Sequence, residues 1–131
     1  MNGPTVTNSE VRIAVLGSGS MGSAHADSYA RAKNVKVIGV FSRNQERAEA
    51  VARIRAAKPI NDAFALLDDP AIDAIDVCVP SINHREFVLA ALQRGKHVFC
   101  ETPLALQLRD AEVMIEHWSA MREDLIFAGL A

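Results

Sequence analysis

The sequence is poor in several features that mark particular classes of protein. Its 131 residues include only two cysteines, too few for the disulfide framework of a small secreted domain. No apolar run approaches the ~20 residues of a membrane-spanning helix. Residues 1–10 lack the basic start and apolar centre of a secretory signal peptide. The net charge of -2 offers no basic face for nucleic acid. These absences predict a cytoplasmic protein without a nucleic-acid or membrane partner.

The composition and length are those of one ordinary soluble domain. Half of the residues are apolar and 23% are charged. Residues 1–10 are polar and turn-rich, so we expect a flexible tail there and a single domain over residues 11–131. Cys78 and Cys100 lie within apolar runs, which indicates reduced core thiols.

Short apolar runs alternate with helical stretches along residues 11–131, and this alternation predicts the fold. Near-continuous apolarity is typical of parallel strands that are buried on both faces. We therefore expect an α/β fold, a doubly wound parallel sheet (Rossmann fold) in three αβα layers. The predicted strands are Val11–Leu16, Val35–Phe41, Lys58–Ile60, 74–79, His97–Cys100 and 125–128.

Two features bear on the edges of this sheet. Pro59 lies in the short third strand, and proline is tolerated chiefly at sheet edges. Its position agrees with the strand order 3-2-1-4-5-6, in which the third strand is an edge. The other edge, formed by residues 125–128, is apolar and uncharged. Because an unprotected edge is a pairing hazard, we expect residues 125–131 to contact a partner.

Two of the helical stretches carry capping or packing signals. In residues 83–94, Asn83 can cap the helix, Glu86 completes a capping box, and Gly95 ends it. In residues 107–121, one apolar stripe is predicted to face the sheet. That stripe consists of Leu108, Ala111, Ile115 and Trp118.

A G-x-G-x-x-G sequence follows the first predicted strand directly and opens a helical stretch. It consists of Gly17, Ser18, Gly19, Ser20, Met21 and Gly22. In this context the first glycine permits a tight turn, the second lets a pyrophosphate approach the backbone, and the third allows close helix packing. The amides at the helix start then face the anion. The alternative is a glycine-rich turn without a ligand.

The end of the second strand bears on which dinucleotide would bind. NAD-binding proteins place a carboxylate here to accept hydrogen bonds from the ribose 2′-hydroxyl. This chain has Ser42 and Arg43 instead, which can donate to a 2′-phosphate, and Arg43 can also stack on the adenine. We therefore expect NADP, with NAD as the second choice. Alternatively, Arg43 is a solvated charge at a helix start.

Two further strings follow later strands, a P-x-x-x-H over residues 80–84 and G-K-H-V-x-x-E-x-P-L-A over residues 95–105. With the glycine loop, they resemble the glucose-fructose oxidoreductase/inositol dehydrogenase/MocA family of NAD(P)-dependent oxidoreductases, which act mostly on sugars, polyols and related alcohols. The resemblance runs from about residue 11 to residue 131. It covers only the amino-terminal, cofactor-binding half of the family's usual length, so the substrate domain is expected to be absent.

The resemblance implies roles for residues at the ends of the later strands. Pro80 and His84 would lie beside the nicotinamide ribose, and Glu101 would accept hydrogen bonds from its hydroxyls. The bond before Pro103 would be cis. From the residues alone, His84 could instead be a packed residue in the first turn of a helix, and Glu101 a carboxylate that interacts with a helix dipole.

Thr102 departs from the family pattern, which is Glu-Lys-Pro. The family's lysine reaches the substrate hydroxyl or orients a catalytic histidine, whereas threonine offers no cation. We therefore assign no catalytic residue, and whether the chain is an enzyme stays open. The remaining histidines show no metal-like spacing and are interpreted as structural. They are His25, His97 and His117.

Two functions remain open at this point. The first is the NADP-binding domain of an oxidoreductase that acts on a sugar, polyol or related alcohol, without turnover as an isolated chain. The second is a nucleotide-binding or regulatory module that works by dimerisation or partner association. Under either, residues 125–131 would contact a second copy of the chain or a separate substrate domain.

Overall fold

Six parallel strands form one sheet in the computed structural model, which describes residues 10–53, 56–121 and 123–129. The order is β3-β2-β1-β4-β5-β6, which confirms the predicted topology. The strands are β1 (Val11–Leu16), β2 (Val35–Phe41), β3 (Lys58–Ile60), β4 (Ala74–Val77), β5 (His97–Cys100) and β6 (Phe127–Gly129). The helices are α1 (Ser20–Arg31), α2 (Gln45–Arg53), α3 (Ala63–Leu67), α4 (His84–Gln93) and α5 (Leu108–Ser119), with a 3-10 turn (Ser81–Asn83) before α4.

The central strand β1 shows why the fold has three layers. Alternate side chains of a strand point to opposite faces of the sheet. Ile13 and Val15 pack with residues of α1 and α2 on one face. Ala14 and Leu16 pack with residues of α3, α4 and α5 on the other. Both faces of the sheet are therefore covered, which confirms the three-layer prediction.

Both predicted edges are edges in the structure. Pro59 lies in β3, which pairs with β2, and β6 pairs with β5. Three strand boundaries were wrong by one or two residues: β4 ends at Val77 and not at residue 79, and β6 spans Phe127–Gly129 and not residues 125–128. β4 ends at Val77 because the chain turns at Pro80, and β6 begins at Phe127 because the amide of Ile126 donates to the ring of His97. Of the predicted contact segment 125–131, residues 130 and 131 lie outside the described residues, as do residues 1–9 of the predicted tail.

The predicted capping box at Asn83 was wrong. Asn83 has an αR backbone (φ -98°, ψ -1°), and its side chain makes no capping hydrogen bond. An N-cap side chain reaches the first-turn amides from an extended backbone, and the 3-10 turn before α4 prevents that geometry. Gly95 does end the helical segment, with φ at 73°.

The predicted apolar stripe of α5 was also wrong in its direction. Met114 is the fully buried residue of α5, whereas Leu108 is 78% exposed and Ile115 is 49% exposed. Because Met114 precedes Ile115 by one position, the buried face is rotated by about 100° from the predicted stripe. Trp118 lies near the boundary, and its indole donates to the carbonyl of Leu125 at 2.7 Å.

Among the described helices, none combines the length and apolar character that a membrane crossing requires.

Candidate functional site

The strands β1, β2, β4 and β5 end at a cleft of about 520 Å³, a volume typical of small-molecule sites. Most of the predicted site residues line it, namely Gly17, Ser18, Gly19, Ser20, Met21, Ser42, Arg43, Pro80, His84, Glu101 and Thr102. Gly22 and Pro103 do not line it. Residues that sequence reasoning missed complete the wall, namely Phe41, Asn44, Arg47, Cys78, Val79 and Ser81.

The three glycines of the loop are required for different reasons. Gly17 has φ +119°, and a Cβ there would lie 2.6 Å from the carbonyl oxygen of Cys78. A Cβ at Gly22 would overlap the carbonyl oxygen of Gly17, so α1 can pack this closely only with glycine. At Gly19 no atom lies within 4 Å of a Cβ, so its surface is open to the cleft. The turn and the packing predicted from the motif are therefore present.

The start of α1 presents unsatisfied amides to the cleft. Gly19 occupies the N-cap position with no side-chain cap, and the first turn carries no acidic residue. The first-turn amides of a helix have no intrahelical partner and carry a partial positive charge. The open surface at Gly19 and these amides together fit the pyrophosphate of a dinucleotide.

The end of β2 holds hydroxyl and guanidinium groups at one side of the cleft. Ser42 is buried, and its Oγ accepts hydrogen bonds from Ser18 Oγ at 2.6 Å and from the Asn44 amide at 3.0 Å. With both acceptor positions used, Ser42 retains its own proton for donation. Arg43 and Arg47 are exposed and line the same side.

Arg47 escaped the sequence reasoning because it lies beyond the strand end, within α2. Asn44 was the available sequence signal, because an asparagine just before a helical stretch indicates an N-cap and hence a helix that starts beside the cleft. Its side-chain oxygen accepts from the Arg47 amide at 3.0 Å, so residue 44 caps α2 and turns its first helical residues back toward the cleft. Arg43 and Arg47 therefore both line the cleft together with Ser42.

His84 is the first residue of α4 and is 1% exposed. Its Nε2 lies 2.8 Å from the carbonyl oxygen of Val79, and its Nδ1 lies 3.2 Å from the carbonyl oxygen of Leu104. Both ring nitrogens thus face main-chain acceptors, and the ring joins the start of α4 to the loop after β5. Pro80 precedes it on the exposed wall of the cleft.

The loop after β5 contains the predicted cis bond, between Thr102 and Pro103. Thr102 is exposed and lines the cleft, in the position where the resemblance implied lysine. Glu101 is 8% exposed and lies at the floor of the cleft.

A buried polar network beneath Glu101 was not predicted. Asp76, in the middle of β4, is 1% exposed. Its carboxylate lies 2.7 Å from Nδ1 of His25 and accepts hydrogen bonds from the Tyr29 hydroxyl and the Cys78 thiol. His25 was interpreted as structural because sequence spacing gave it no partner, yet the fold places it between Asp76 and Glu101.

The contact between His25 and Glu101 is close but not a well-formed hydrogen bond. His25 Nε2 lies 2.7 Å from Glu101 Oε2, which is the distance of an ion pair. Oε2 is nevertheless a buried atom without a hydrogen-bond partner among the described residues, so the approach lacks hydrogen-bond alignment. The Glu101 carboxylate therefore keeps acceptor capacity at the floor of the cleft, which fits a ligand that offers hydroxyl groups.

Ligand-type atoms of His25, Cys78 and Glu101 lie within 4.8 Å of one another. The two short contacts of His25 are to carboxylates on opposite sides of its ring, a hydrogen bond with Asp76 and a close approach to Glu101. The described geometry therefore favours a polar network over a metal centre.

Burial and the Asp76 carboxylate keep the nearby tyrosine hydroxyl and cysteine thiols protonated. Burial, reinforced by Asp76, raises the pKa of the Tyr29 hydroxyl and of the Cys78 thiol well above their ordinary values. Burial likewise raises the pKa of Cys100 to about 12. Both cysteines are free thiols.

The sequence matches a family model described as an oxidoreductase family with an NAD-binding Rossmann fold, over residues 11–126. It is 34% identical over 103 residues to glucose-6-phosphate 3-dehydrogenase from Bacillus subtilis, an alignment that covers 79% of this chain and 29% of that protein. It is 32% identical over 120 residues to myo-inositol 2-dehydrogenase from Thermotoga maritima, covering 91% of this chain and 36% of that protein.

Among solved structures, a 3-ketoreductase from Actinomadura kijaniata in complex with NADP has the same fold. The TM-score is 0.80 at 26% sequence identity, and the match covers 86% of this chain and 36% of that one. The chain therefore spans about a third of the length of the curated relatives it matches.

Proposed function

The chain belongs to the Gfo/Idh/MocA oxidoreductase family, whose NAD-binding Rossmann domain it forms. On that premise, we propose that it binds NADP(H) for an oxidoreductase that acts on a sugar, polyol or related alcohol. The relatives described above include a sugar-phosphate dehydrogenase and an inositol dehydrogenase, which supports this substrate class. NAD is the second choice of cofactor.

The observation that carries the proposal is the meeting of three features in one cleft. The open backbone at Gly19 and the uncapped amides of α1 supply an anion site. Glu101 would supply a carboxylate acceptor for ribose hydroxyls at the floor of the cleft, about where the nicotinamide half of a dinucleotide would lie. Of the predicted site residues, Gly17 and Gly22 would shape the loop, and Ser18, Ser20 and Met21 would line it.

The preference for NADP rests on the charge at the end of β2. The described end of β2 carries no carboxylate, whereas Ser42, Arg43 and Arg47 together offer a hydroxyl proton and two guanidinium groups. Charge-assisted hydrogen bonds to a 2′-phosphate contribute roughly 1.5–3 kcal/mol each. The structural relative in complex with NADP supports the same choice.

Within the reaction, these residues place the cofactor and do not catalyse. The bound nicotinamide supplies the hydride chemistry. Pro80 and His84 would shape the wall beside it, and Pro103 would hold the turn that carries Glu101 and Thr102. Thr102 offers no general base near neutral pH, so we expect little or no turnover from this chain alone.

The exposed edge at β6 is proposed to contact a second copy of the chain or a substrate domain. Ile126, next to β6, is 61% exposed, and Leu108 on α5 is also exposed. These apolar positions also keep open the second candidate function, a nucleotide-binding module that acts by association. The free thiols Cys78 and Cys100 are consistent with the reducing cytoplasm, where we place the protein.

A calorimetric titration of the purified chain with NADPH and, separately, NADH tests this function. We expect both to bind, and NADPH to bind at least about tenfold more tightly, because its 2′-phosphate meets the two guanidinium groups. The matched variant Arg47→Ala should weaken NADPH and leave NADH unchanged, whereas Arg109→Ala on α5 should alter neither. If neither dinucleotide binds, the proposed function is wrong. If both bind equally, only the NADP preference is wrong.

A further inference from the structure

The buried carboxylate of Asp76 has no role in the cofactor site as described so far. A carboxylate in the middle of a strand costs several kcal/mol to bury unless donors surround it. Here the donors come from the Tyr29 hydroxyl, the Cys78 thiol at 3.2 Å and His25 at 2.7 Å. A buried, fully partnered charge of this kind fixes the orientation of the groups bound to it.

Asp76 determines how the ring of His25 is presented. Because burial keeps Tyr29 and Cys78 protonated, both donate to Asp76, which therefore acts as an acceptor. Nδ1 of His25 lies 2.7 Å from the Asp76 carboxylate, and the opposite nitrogen, Nε2, is directed at Glu101. The ring of Phe99 packs edge-on against His25 at a centroid distance of 5.5 Å and limits its rotation.

His25 thus joins α1, β4 and the loop after β5 at the floor of the cleft. With Glu101 Oε2 held against His25 Nε2, the other oxygen of the carboxylate is the one that a ligand can reach. Placement of that oxygen depends on a side chain that itself does not line the cleft.

We propose that His25 is a positioning residue, held by Asp76 and Tyr29, which fixes Glu101 for the nicotinamide ribose and thereby strengthens binding of that half of the dinucleotide alone. This inference rests on the proposed function. The adenosine half of the ligand would lie against Ser42 and Arg43, on the other side of the cleft. Binding of that half should therefore depend on the glycine loop and the end of β2, and not on His25.

A pair of substitutions at His25 separates positioning from packing. The amide of asparagine lies near the place of Nδ1 and can still meet Asp76, but it does not reach Glu101. The amide of glutamine lies near the place of Nε2 and can still meet Glu101. His25→Asn should therefore lose the contact that positions Glu101, whereas His25→Gln should retain it. His117→Asn, on the outer helix α5, is the control for the substitution itself.

The test measures two ligands on each variant by calorimetry, the dinucleotide that wild type prefers and its adenosine half (2′,5′-ADP for NADPH, ADP for NADH). His25→Asn should weaken the dinucleotide about tenfold, the loss of one charge-assisted contact, and leave the adenosine half unchanged. His25→Gln should restore most of that loss, and His117→Asn should match wild type for both ligands.

Three results would overturn the inference: unchanged dinucleotide binding by His25→Asn, equal weakening of both ligands, or a glutamine variant as weak as the asparagine variant. If the variants do not fold, ring ¹⁵N resonances of His25 in wild type provide the readout. They should move when the dinucleotide is added and stay in place with the adenosine half, and any other pattern contradicts the inference. Failure of wild type to bind either dinucleotide would instead overturn the proposed function.

Discussion

At the scale of single residues, the glycine loop shows that one motif can hold three separate constraints. Gly17 and Gly22 are required by the fold, because a Cβ at either position meets main-chain atoms. Gly19 is different, because a Cβ there meets nothing in the protein itself. We therefore propose that Gly17 and Gly22 serve the fold, whereas Gly19 leaves room for a ligand in the cleft.

This division predicts opposite effects of two substitutions. Gly19→Val should leave the melting temperature within a few degrees of wild type and abolish dinucleotide binding, because the valine side chain fills the space for the pyrophosphate. Gly22→Ala should lower the stability by several kcal/mol, since its methyl group overlaps the Gly17 carbonyl. Thermal unfolding and calorimetric titration of both variants check this. Tight binding by Gly19→Val would remove the loop from the site.

Local sequence predicted the loop well and the floor of the cleft poorly. The glycine spacing, Ser42 and Arg43 follow strand ends directly, so their meeting could be derived from a parallel sheet. His25 and Asp76 lie 51 positions apart, and their contact depends on how α1 packs over β4. An aspartate inside the apolar run 74–79 was the available signal, since a buried carboxylate requires donors from elsewhere in the fold.

At the scale of elements, strands were predicted more accurately than helix faces. The strands are β-branched apolar runs, and such runs indicate burial on both faces of a sheet. Their order follows from topology rules together with Pro59, which indicates an edge strand. Helix α5 has apolar residues on more than one face, so periodicity alone did not distinguish the buried Met114 from the exposed Leu108. Which face is buried depends on the angle at which the helix meets the sheet.

The thiols at the ends of β4 and β5 make stability depend on alkaline pH. Burial raises the pKa of Cys100 to about 12 from the ordinary value of 9.0, and it raises that of Cys78 as well. Above pH 9 the unfolded chain therefore loses thiol protons that the folded chain keeps. The unfolded state then binds fewer protons, so the free energy of unfolding falls as pH rises, by up to about 1.4 kcal/mol per pH unit for each thiol.

Urea unfolding of wild type and of Cys100→Ala between about pH 9 and pH 10 measures this effect. The variant should start less stable, because it loses buried volume, but its stability should fall less steeply with pH than that of wild type. Parallel slopes for the two proteins would show that Cys100 ionises normally in the folded state.

At the scale of the whole molecule, the sheet is covered on both faces, and no described strand pairs with the outer edge of β6. The chain spans about a third of the length of its curated relatives, and several apolar side chains near this edge and on α5 are exposed. The fold and the cofactor cleft could be predicted because the residues that form them are in this sequence. The substrate is proposed only by class, because no described residue of the cleft distinguishes one alcohol from another.

The β6 edge should control association of the chain. Ile126→Lys places a charge beside β6. The variant should have a lower sedimentation coefficient than wild type, close to that of a single chain, and an unchanged affinity for the dinucleotide. Val11→Lys, at the exposed start of the interior strand β1, is the matched control and should sediment as wild type does. Equal assembly of wild type and Ile126→Lys would place the contact elsewhere.

Binding of a dinucleotide in the cleft at the ends of β1, β2, β4 and β5 can be followed residue by residue in amide ¹H–¹⁵N spectra recorded during addition of NADPH. We expect saturable shifts of the amide signals of residues 17–21, 42–44 and 101–102, whereas the signals of α5 should not move. Shifts centred on α5, or no saturable shifts with NADPH or NADH, would contradict binding in this cleft.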